Sequence, residues 1–523
     1  MTSFDTIIIG AGHNGVVAAG FLAKSGRKVL VLEAADTAGG GARTVEFAPG
    51  FRASGLAHVV NRLHPQVMSS LKLDRTLFEG EAVPTLALDA QRGPAVLHGG
   101  YGETLEGVSE TEAGAFAAMR KKLLLQAGVL KSFLTRKPPR PGDIGLGDAL
   151  QLGLTGLSLL RHGRQEARDF ARMLLMNVAD IADEYLTDDR LKGLIAFDAT
   201  LGIHLGPRSP TSLLGLFYRL TGEVLGQAGG QYLPKGGMGT LARALETAAI
   251  AAGARLRFSS PVAQILTEKG SAIGVVLKNG EELRATEVVS AIHPVTTLQT
   301  FLPAGEIDTG LSRSLRHIRS KGNVAKLHLA LDRVPVFTGV SLKDQRGRLV
   351  IAPSVDHVEN AFNPAKYGAF SADPVMEITL PSMGDLSLAP PGACVLSALV
   401  QYAPYDLKEG WENGKPRFLE TILSTIERYA PDIRSSIVAA ELLVPPDIEA
   451  RYRLPGGHWH HGELQADQLL INRPTFALSG YETPVEGLYL CSAGSHPGGG
   501  LSGVPGMNAA RHIIAASKAR SRR

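Results

Sequence analysis

The stretch Thr6-Ile-Ile-Ile-Gly10-Ala-Gly12-His-Asn-Gly15 constrains the fold more than any other part of the chain. Thr6 to Ile9 is a short apolar run that stops at glycine, the pattern of a strand buried on both faces. Gly10, Gly12 and Gly15 give G-x-G-x-x-G directly at its end; Val16 to Lys24 has helical character, and Gly26 stops it. Lys28 to Glu33 is a second apolar run, ending in an acid. The first glycine makes the tight turn, the second lets backbone approach a pyrophosphate, and the third lets helix pack on strand. The helix start offers unpaired N–H groups to phosphate oxygens, and Glu33 can accept hydrogen bonds from ribose hydroxyls. Strand, glycines, helix, strand and acid in this register predict a dinucleotide-binding unit.

After Glu33 the chain departs from a plain nicotinamide-type repeat. Instead of a third strand–helix unit it runs Ala38-Gly39-Gly40-Gly41-Ala42-Arg43-Thr44. A glycine triplet followed by arginine can bring backbone N–H groups and a guanidinium to one pyrophosphate. Glu33, Ala34, Gly40, Gly41, Ala42 and Arg43 are therefore expected against a longer, two-headed dinucleotide, which favours FAD over NAD. Near the other end, Gly487 to Cys491 reads as a strand, Ser492 to Gly503 is dense in glycine, and Val504 to Ala516 reads as a helix. Gly498 to Gly503 also spells G-x-G-x-x-G, but too little chain follows for a helix, second strand and acid. This segment is expected to be the other wall of the first site. The cofactor domain is then discontinuous, built from both chain ends and the block around Val262.

Between these anchors, Leu63–Leu73 and Glu110–Phe133 read as helices, the latter with Ser109 as N-cap. Helices dominate to about Leu225, broken at Gly206–Pro210. Thr85–Leu88, Ala95–His98, Arg255–Phe258, Val262–Thr267, Ile273–Leu277, Glu282–Val289, Asn323–Leu331, Val375–Leu380, Cys394–Tyr402 and Ile437–Leu443 read as strands, and Pro416–Tyr429 as a helix. Lys278-Asn-Gly-Glu281 is a hairpin turn. The expected class is α/β. A Rossmann-type FAD-binding domain takes residues 1–75, 231–300 and 451–523, and an inserted mixed-sheet and helical substrate domain takes 76–230 and 301–450.

Composition narrows the partners. A net charge of +4 over 523 residues does not call for nucleic acid. Cys394 and Cys491 form no C-x-x-C, so neither a redox dithiol nor a zinc site is expected, and no metal is assigned. The first strand starts too early for a targeting segment, and no stretch has the roughly 18 uncharged apolar residues of a membrane span. A cytoplasmic protein is expected. Ile144 to Leu160 reads as a partly buried substrate-domain helix, with an amphipathic helix on a membrane surface as the alternative. The tail Lys518–Arg523 reads as a solvated, frayed end.

Gly10–Gly15, Gly39-Gly-Gly-Ala-Arg43, Lys235-Gly-Gly-Met-Gly239 and Gly494-Ser-His-Pro-Gly-Gly-Gly500 resemble the phytoene desaturase-type flavoproteins of the flavin amine oxidase-like superfamily. Asn177–Asp180, His461–Glu463 and Asp467–Leu469 match the subgroup called pyridine nucleotide-disulfide oxidoreductase domain-containing protein 2. The resemblance implies one non-covalent FAD. By position, Gly10, Ala11, Gly12, Asn14 and Gly15 would hold the pyrophosphate and Glu33 the adenosine ribose. Arg43 would approach the diphosphate and ribityl region, and Val262 would meet adenine through its backbone. Gly494, Ser495, Gly503 and Val504 would lie along the ribityl chain and flavin ring. Without C-x-x-C or a second nucleotide motif, disulfide reductase chemistry and NAD(P)H as reductant are not expected.

A flavin accepts hydride by itself, so the protein mainly orients substrate and tunes the ring. His496, inside the glycine-rich wall, is the first candidate proton acceptor, with a structural role as the alternative; His58 is the second. His458-Trp-His-His461 reads as a strand-like loop lining the substrate cavity, with His460 and His461 on opposite faces. Three function classes remain open. One is a dehydrogenase or desaturase acting on a small apolar or amphiphilic substrate. The second is an oxygen-using flavin amine oxidase, disfavoured because the glycine wall lacks aromatic residues. The third is a flavoprotein with a binding role.

Overall fold

The computed structural model describes residues 4–78, 82–140, 142, 145–161 and 163–520. Two sheets organise it. The first is centred on Phe4–Ile9, which pairs in parallel with Val29–Leu32 on one side and Glu282–Ser290 on the other, so that Ile8 lies opposite both Val31 and Val289. Arg255–Arg257 extends it beyond Val29–Leu32, and Leu488–Leu490 pairs in parallel with Glu282–Ser290. The antiparallel strands Val262–Glu268 and Ser271–Leu277 complete this seven-stranded sheet. Helices His13–Lys24, Met238–Ala251 and Val504–Arg520 cover one face around Val17, Leu22, Leu241, Met507 and Ile513. Continuous burial on both faces explains the near-uninterrupted apolar runs.

The second sheet has eight strands in the order Ile437–Leu443, Val324–Leu331, Cys394–Gln401, Met376–Thr379, Arg348–Ile351, Thr85–Ala87, Ala95–His98 and Thr104–Glu106. One face packs Leu327, Leu329, Ile378 and Ala398 against Phe418, Ile422 and Ile426 of helix Trp411–Glu427. The opposite face is polar. Lys326, Leu399, Glu377 and Val350 lie opposite one another across four adjacent strands, and His328 and Thr379 share their face by the two-residue alternation. Helices Glu110–Leu134, Val178–Tyr185, Asp189–Thr200 and Leu213–Leu220 pack around Phe116, Phe197 and Phe217. Ser109 Oγ accepts from Glu112 N at 3.2 Å at the first of these, as its N-cap position predicts.

Several elements differ from the sequence reading. The hairpin Thr44–Ala48/Phe51–Ser54 and the helix Met238–Ala251 were not anticipated. Helix Trp411–Glu427 starts more than one turn before Pro416; Trp411 stacks with Phe370 at 6.2 Å and donates to Pro404 O at 2.9 Å, packing that overrides the missing proline N–H. Within 144–160, Ile144 lies outside the described residues, and the helix runs Leu146–Arg161. Its Leu150, Leu154, Leu157 and Leu160 are exposed, while Thr155, Gly156 and Leu159 are half-buried. At the tail, residues 521–523 lie outside the described set, and the helix continues to Arg520, which pairs with Glu287 at 3.4 Å. Among the described residues no helix is long and apolar enough to cross a membrane.

Candidate active site

A cavity of about 580 Å³ runs from the glycine turns of the first sheet to the polar face of the second. Gly10, Gly12, Asn14, Glu33, Ala34, Gly40, Gly41, Ala42 and Val262 line one end. The two glycine segments lie side by side there, with Gly39 N donating to Ala11 O at 2.9 Å. The Glu33 carboxylate accepts from Ala11 N at 2.7 Å and Ala35 N at 2.9 Å, which fixes it at the strand end facing the cavity. A Cβ on Gly15 would stand 2.1 Å from Gly10 O, so glycine is required for the helix to seat on the turn. A Cβ on Gly12 would meet nothing within 4 Å and would enter the cavity. Buried His13 Nε2 and Asn14 Oδ1 have no partner at the same place. A backbone cradle open at Gly12 and a helix start behind it fit a dinucleotide pyrophosphate.

The remaining predicted residues divide. Ala11 serves through its N–H to Glu33, while Gly15 packs behind the turn. Arg43 donates from Nε to Gly40 O at 3.2 Å and sits 5.6 Å over the Tyr452 ring. From the C-terminal glycine segment the cavity is lined by Ala493, Gly500 and Leu501, with Gly494, Ser495, Gly503 and Val504 not among its lining residues. His496 does not line it either. Its Nε2 is 3.0 Å from Phe133 O, and burial holds its pKa down at about 4. The ring ties the glycine wall to the helix Glu110–Leu134. The histidine run is a turn and not a strand, and both His460 and His461 line the cavity. Buried Arg473 holds that turn by donating to His460 O at 2.5 Å, Glu463 O at 2.8 Å and Ala493 O at 2.9 Å.

His58 does reach the cavity, and the second sheet supplies its partners. His58 Nε2 is 2.8 Å from Glu377 Oε1, and Lys326 Nζ is 2.9 Å from His58 Nδ1. Arg348 Nε donates to Glu377 Oε2 at 2.5 Å, and its Nη2 to Asp198 Oδ1 at 2.5 Å. Since the ionised Glu377 carboxylate can only accept, the ring proton sits on Nε2 and Nδ1 accepts from Lys326. Burial, reinforced by Lys326, lowers the His58 pKa to about 4; burial lowers that of Lys326 to about 7. Burial opposes ionisation of Glu377, yet Arg348 and His58 hold its carboxyl well below the usual carboxylate range. Thus histidine is neutral, glutamate is ionised, and the lysine amine titrates near neutrality. Sequence reasoning missed Lys326, Glu377, Arg348 and Asp198. The available signal was Lys326 and His328, two apart in the otherwise apolar Val324–Leu331, where a buried strand must turn both to one side.

The class follows from the comparisons with known proteins. The sequence pattern of flavin containing amine oxidoreductases matches residues 15–354, and the chain belongs to that family. The pyridine nucleotide-disulfide oxidoreductase domain-containing protein 2 of Mus musculus is 31% identical over 98% of this chain and 93% of its own. The neurosporene-forming phytoene desaturase of Cereibacter sphaeroides is 27% identical over 64% of this chain and 62% of its own. Among solved structures, cyclohexylamine oxidase from Brevibacterium oxydans has the same fold, with a TM-score of 0.60 at 15% identity, all of both chains being covered. This chain is an oxidoreductase whose cofactor is FAD, and the cradle above is chemically suited to it.

Proposed function

We propose that the protein is a dehydrogenase or desaturase that removes a hydride and a proton from an apolar or amphiphilic substrate, with the buried Lys326–His58–Glu377 chain taking up the proton at its cavity-lining members, His58 and Glu377. FAD, when bound, supplies the hydride acceptor. Gly10, Gly12, Asn14, Glu33, Gly40 and Val262 would hold its nucleotide portion. The observation that carries the reading is the Lys326–His58–Glu377 chain behind the cavity wall. Neutral Lys326 donates one N–H to His58 Nδ1 and can hold the proton that the chain takes up, while His58 and Glu377 are the members that line the cavity. His58, fixed by Glu377, orients the amine, and the surrounding desolvation brings its pKa down to about 7, so that it is basic yet uncharged above that pH. Leu201, Ile203, Leu399 and Leu464 line the same end, which supports an apolar substrate body.

The test is the rate of anaerobic flavin bleaching by a reducing substrate as pH varies. It should rise through an apparent pKa near that of Lys326, about 7, and Lys326→Met should abolish the pH dependence along with most of the rate, about 10²–10⁴-fold. A pH-independent wild-type rate would overturn the assignment. The amine oxidase reading gains from Tyr218, Tyr452 and Trp459, which bring to the cavity the aromatic surface that the glycine wall lacks. It loses more from charge. Arg62, Arg219 and Arg348 stand against Asp198 and Glu377, an excess of positive charge that opposes an ammonium substrate. The exposed leucines of Leu146–Arg161 support a peripheral contact with a lipid surface, and the two buried free cysteines suit a reducing compartment such as the cytoplasm.

A further inference from the structure

Arg62 is a buried cation without an anion. Its residue is 7% exposed, it lines the cavity, and among the described residues no carboxylate pairs with it. Its guanidinium lies 3.6 Å from the Tyr218 ring centre, donates from Nη2 to Thr221 Oγ1 at 3.2 Å, and leaves Nε with no partner. A buried guanidinium is costly unless a charge or hydrogen bonds compensate it. The neighbouring acid is already committed: Asp198 Oδ1 faces Arg348 at 2.5 Å and Arg219 at 3.5 Å, so its free Oδ2 belongs to a neutralised carboxylate. Glu377 is likewise held by Arg348 and His58. Among Arg62, Arg219, Arg348, Asp198 and Glu377, the two carboxylates face Arg219 and Arg348, and Arg62 is the cation left without one.

We propose that Arg62 is the recognition site for an anionic head on the substrate, a carboxylate whose apolar chain lies along Leu201, Ile203 and Leu464. The proposal rests on the oxidoreductase reading above and narrows its substrate class to apolar carboxylic acids. The planar guanidinium edge matches a carboxylate's two oxygens, and Tyr218 beneath it fixes the plane. Arg62 is carried on the segment that also carries His58, four residues earlier, so acid head and reacting carbon are positioned from one stretch of backbone. Tyr218, which supports the guanidinium, comes from helix Leu213–Leu220 and is itself fixed through its hydroxyl to Gly499 O at 2.9 Å.

The experiment uses the FAD-loaded protein and three probes of one chain length: decanoate, decan-1-ol and decylamine. Thermal shift and perturbation of the flavin absorbance are read for each, and neither needs turnover. Decanoate should bind saturably and at least about tenfold tighter than the alcohol or the amine, the factor expected of a charge-assisted hydrogen bond. Arg62→Gln should lose at least about tenfold in decanoate affinity while keeping its FAD, and Arg62→Lys should retain part of it. Equal binding of decanoate and decanol to the wild type would overturn the proposal even if no variant folds. So would an Arg62→Gln protein that loses FAD while its loaded fraction binds decanoate normally, since the guanidinium would then serve the flavin. Failure of any substrate to bleach the flavin would count against the oxidoreductase chemistry, leaving carboxylate recognition to stand or fall on binding.

Discussion

Replacing Lys326 by methionine should change the pH dependence of stability in a direction set by its burial. The amine is fully buried, and desolvation lowers its pKa from 10.5 to about 7 against the partial support of Glu377. Between those two values the unfolded chain binds a proton that the folded chain does not, so this site makes stability rise with pH across the window. At about 1.36 kcal/mol per pH unit, the site costs the folded protein roughly 4 kcal/mol at neutral pH and about 1 kcal/mol at pH 10. Methionine removes the titrating group while keeping an unbranched chain. With an unfolding entropy of about 2.1 cal/mol/K per residue over 523 residues, the difference corresponds to about 3 °C in Tm. Paired thermal melts of the FAD-loaded proteins at several pH values should show the wild type gaining about that much on Lys326→Met between neutral pH and pH 10. Other lysines and tyrosines titrate in both proteins and cancel. Parallel Tm curves would mean that Lys326 titrates normally, and the proton-acceptor argument would lose its basis.

Gly12→Ala and Gly15→Ala should separate cleanly: the first folds and loses FAD because its methyl enters the cavity, while the second unfolds or misfolds because its methyl meets Gly10 O. Far-ultraviolet circular dichroism together with flavin content after dialysis distinguishes them. Glu33→Ala leaves Ala11 N and Ala35 N without their acceptor and should weaken FAD retention by about 10–100-fold while the protein stays folded, read from cofactor content across a dilution series. His496→Ala should lower Tm by breaking the tie to Phe133 O, yet reduce its flavin within about threefold of the wild-type rate; a slowing of more than about 100-fold would return His496 to the chemistry.

The nucleotide end of the site was legible because its constraints are local. Turn, helix start and acid fall within residues 6–33; Gly10 is required by its positive φ and Gly15 by its close approach to Gly10 O, while Gly12 leaves the cavity side of the turn open. The reacting end was not legible, because it assembles from segments far apart. His58 meets Lys326 across 268 positions and Glu377 across 319, and periodicity carries no information about which strands pair. His496 shows a related limit. A histidine in a glycine-rich turn reads as facing the ligand, whereas here the glycines let the chain fold its ring back onto the helix Glu110–Leu134. The exposed leucines of Leu146–Arg161 show a further limit, since an apolar run looks the same in sequence whether it packs inward or stays on the surface.

The central claim is that substrate delivers its hydride to the flavin while its proton passes to the Lys326–His58–Glu377 chain, which meets the cavity at His58 and Glu377. The most direct measurement is anaerobic rapid mixing of FAD-loaded protein with apolar and amphiphilic acids, alcohols and amines, and with NADH in parallel. The account predicts bleaching by members of the apolar panel, at a rate that rises with pH toward a plateau above about 7, and no bleaching by NADH over the same seconds. Rapid stoichiometric bleaching by NADH, with an unchanged flavin across the rest of the panel, would contradict it.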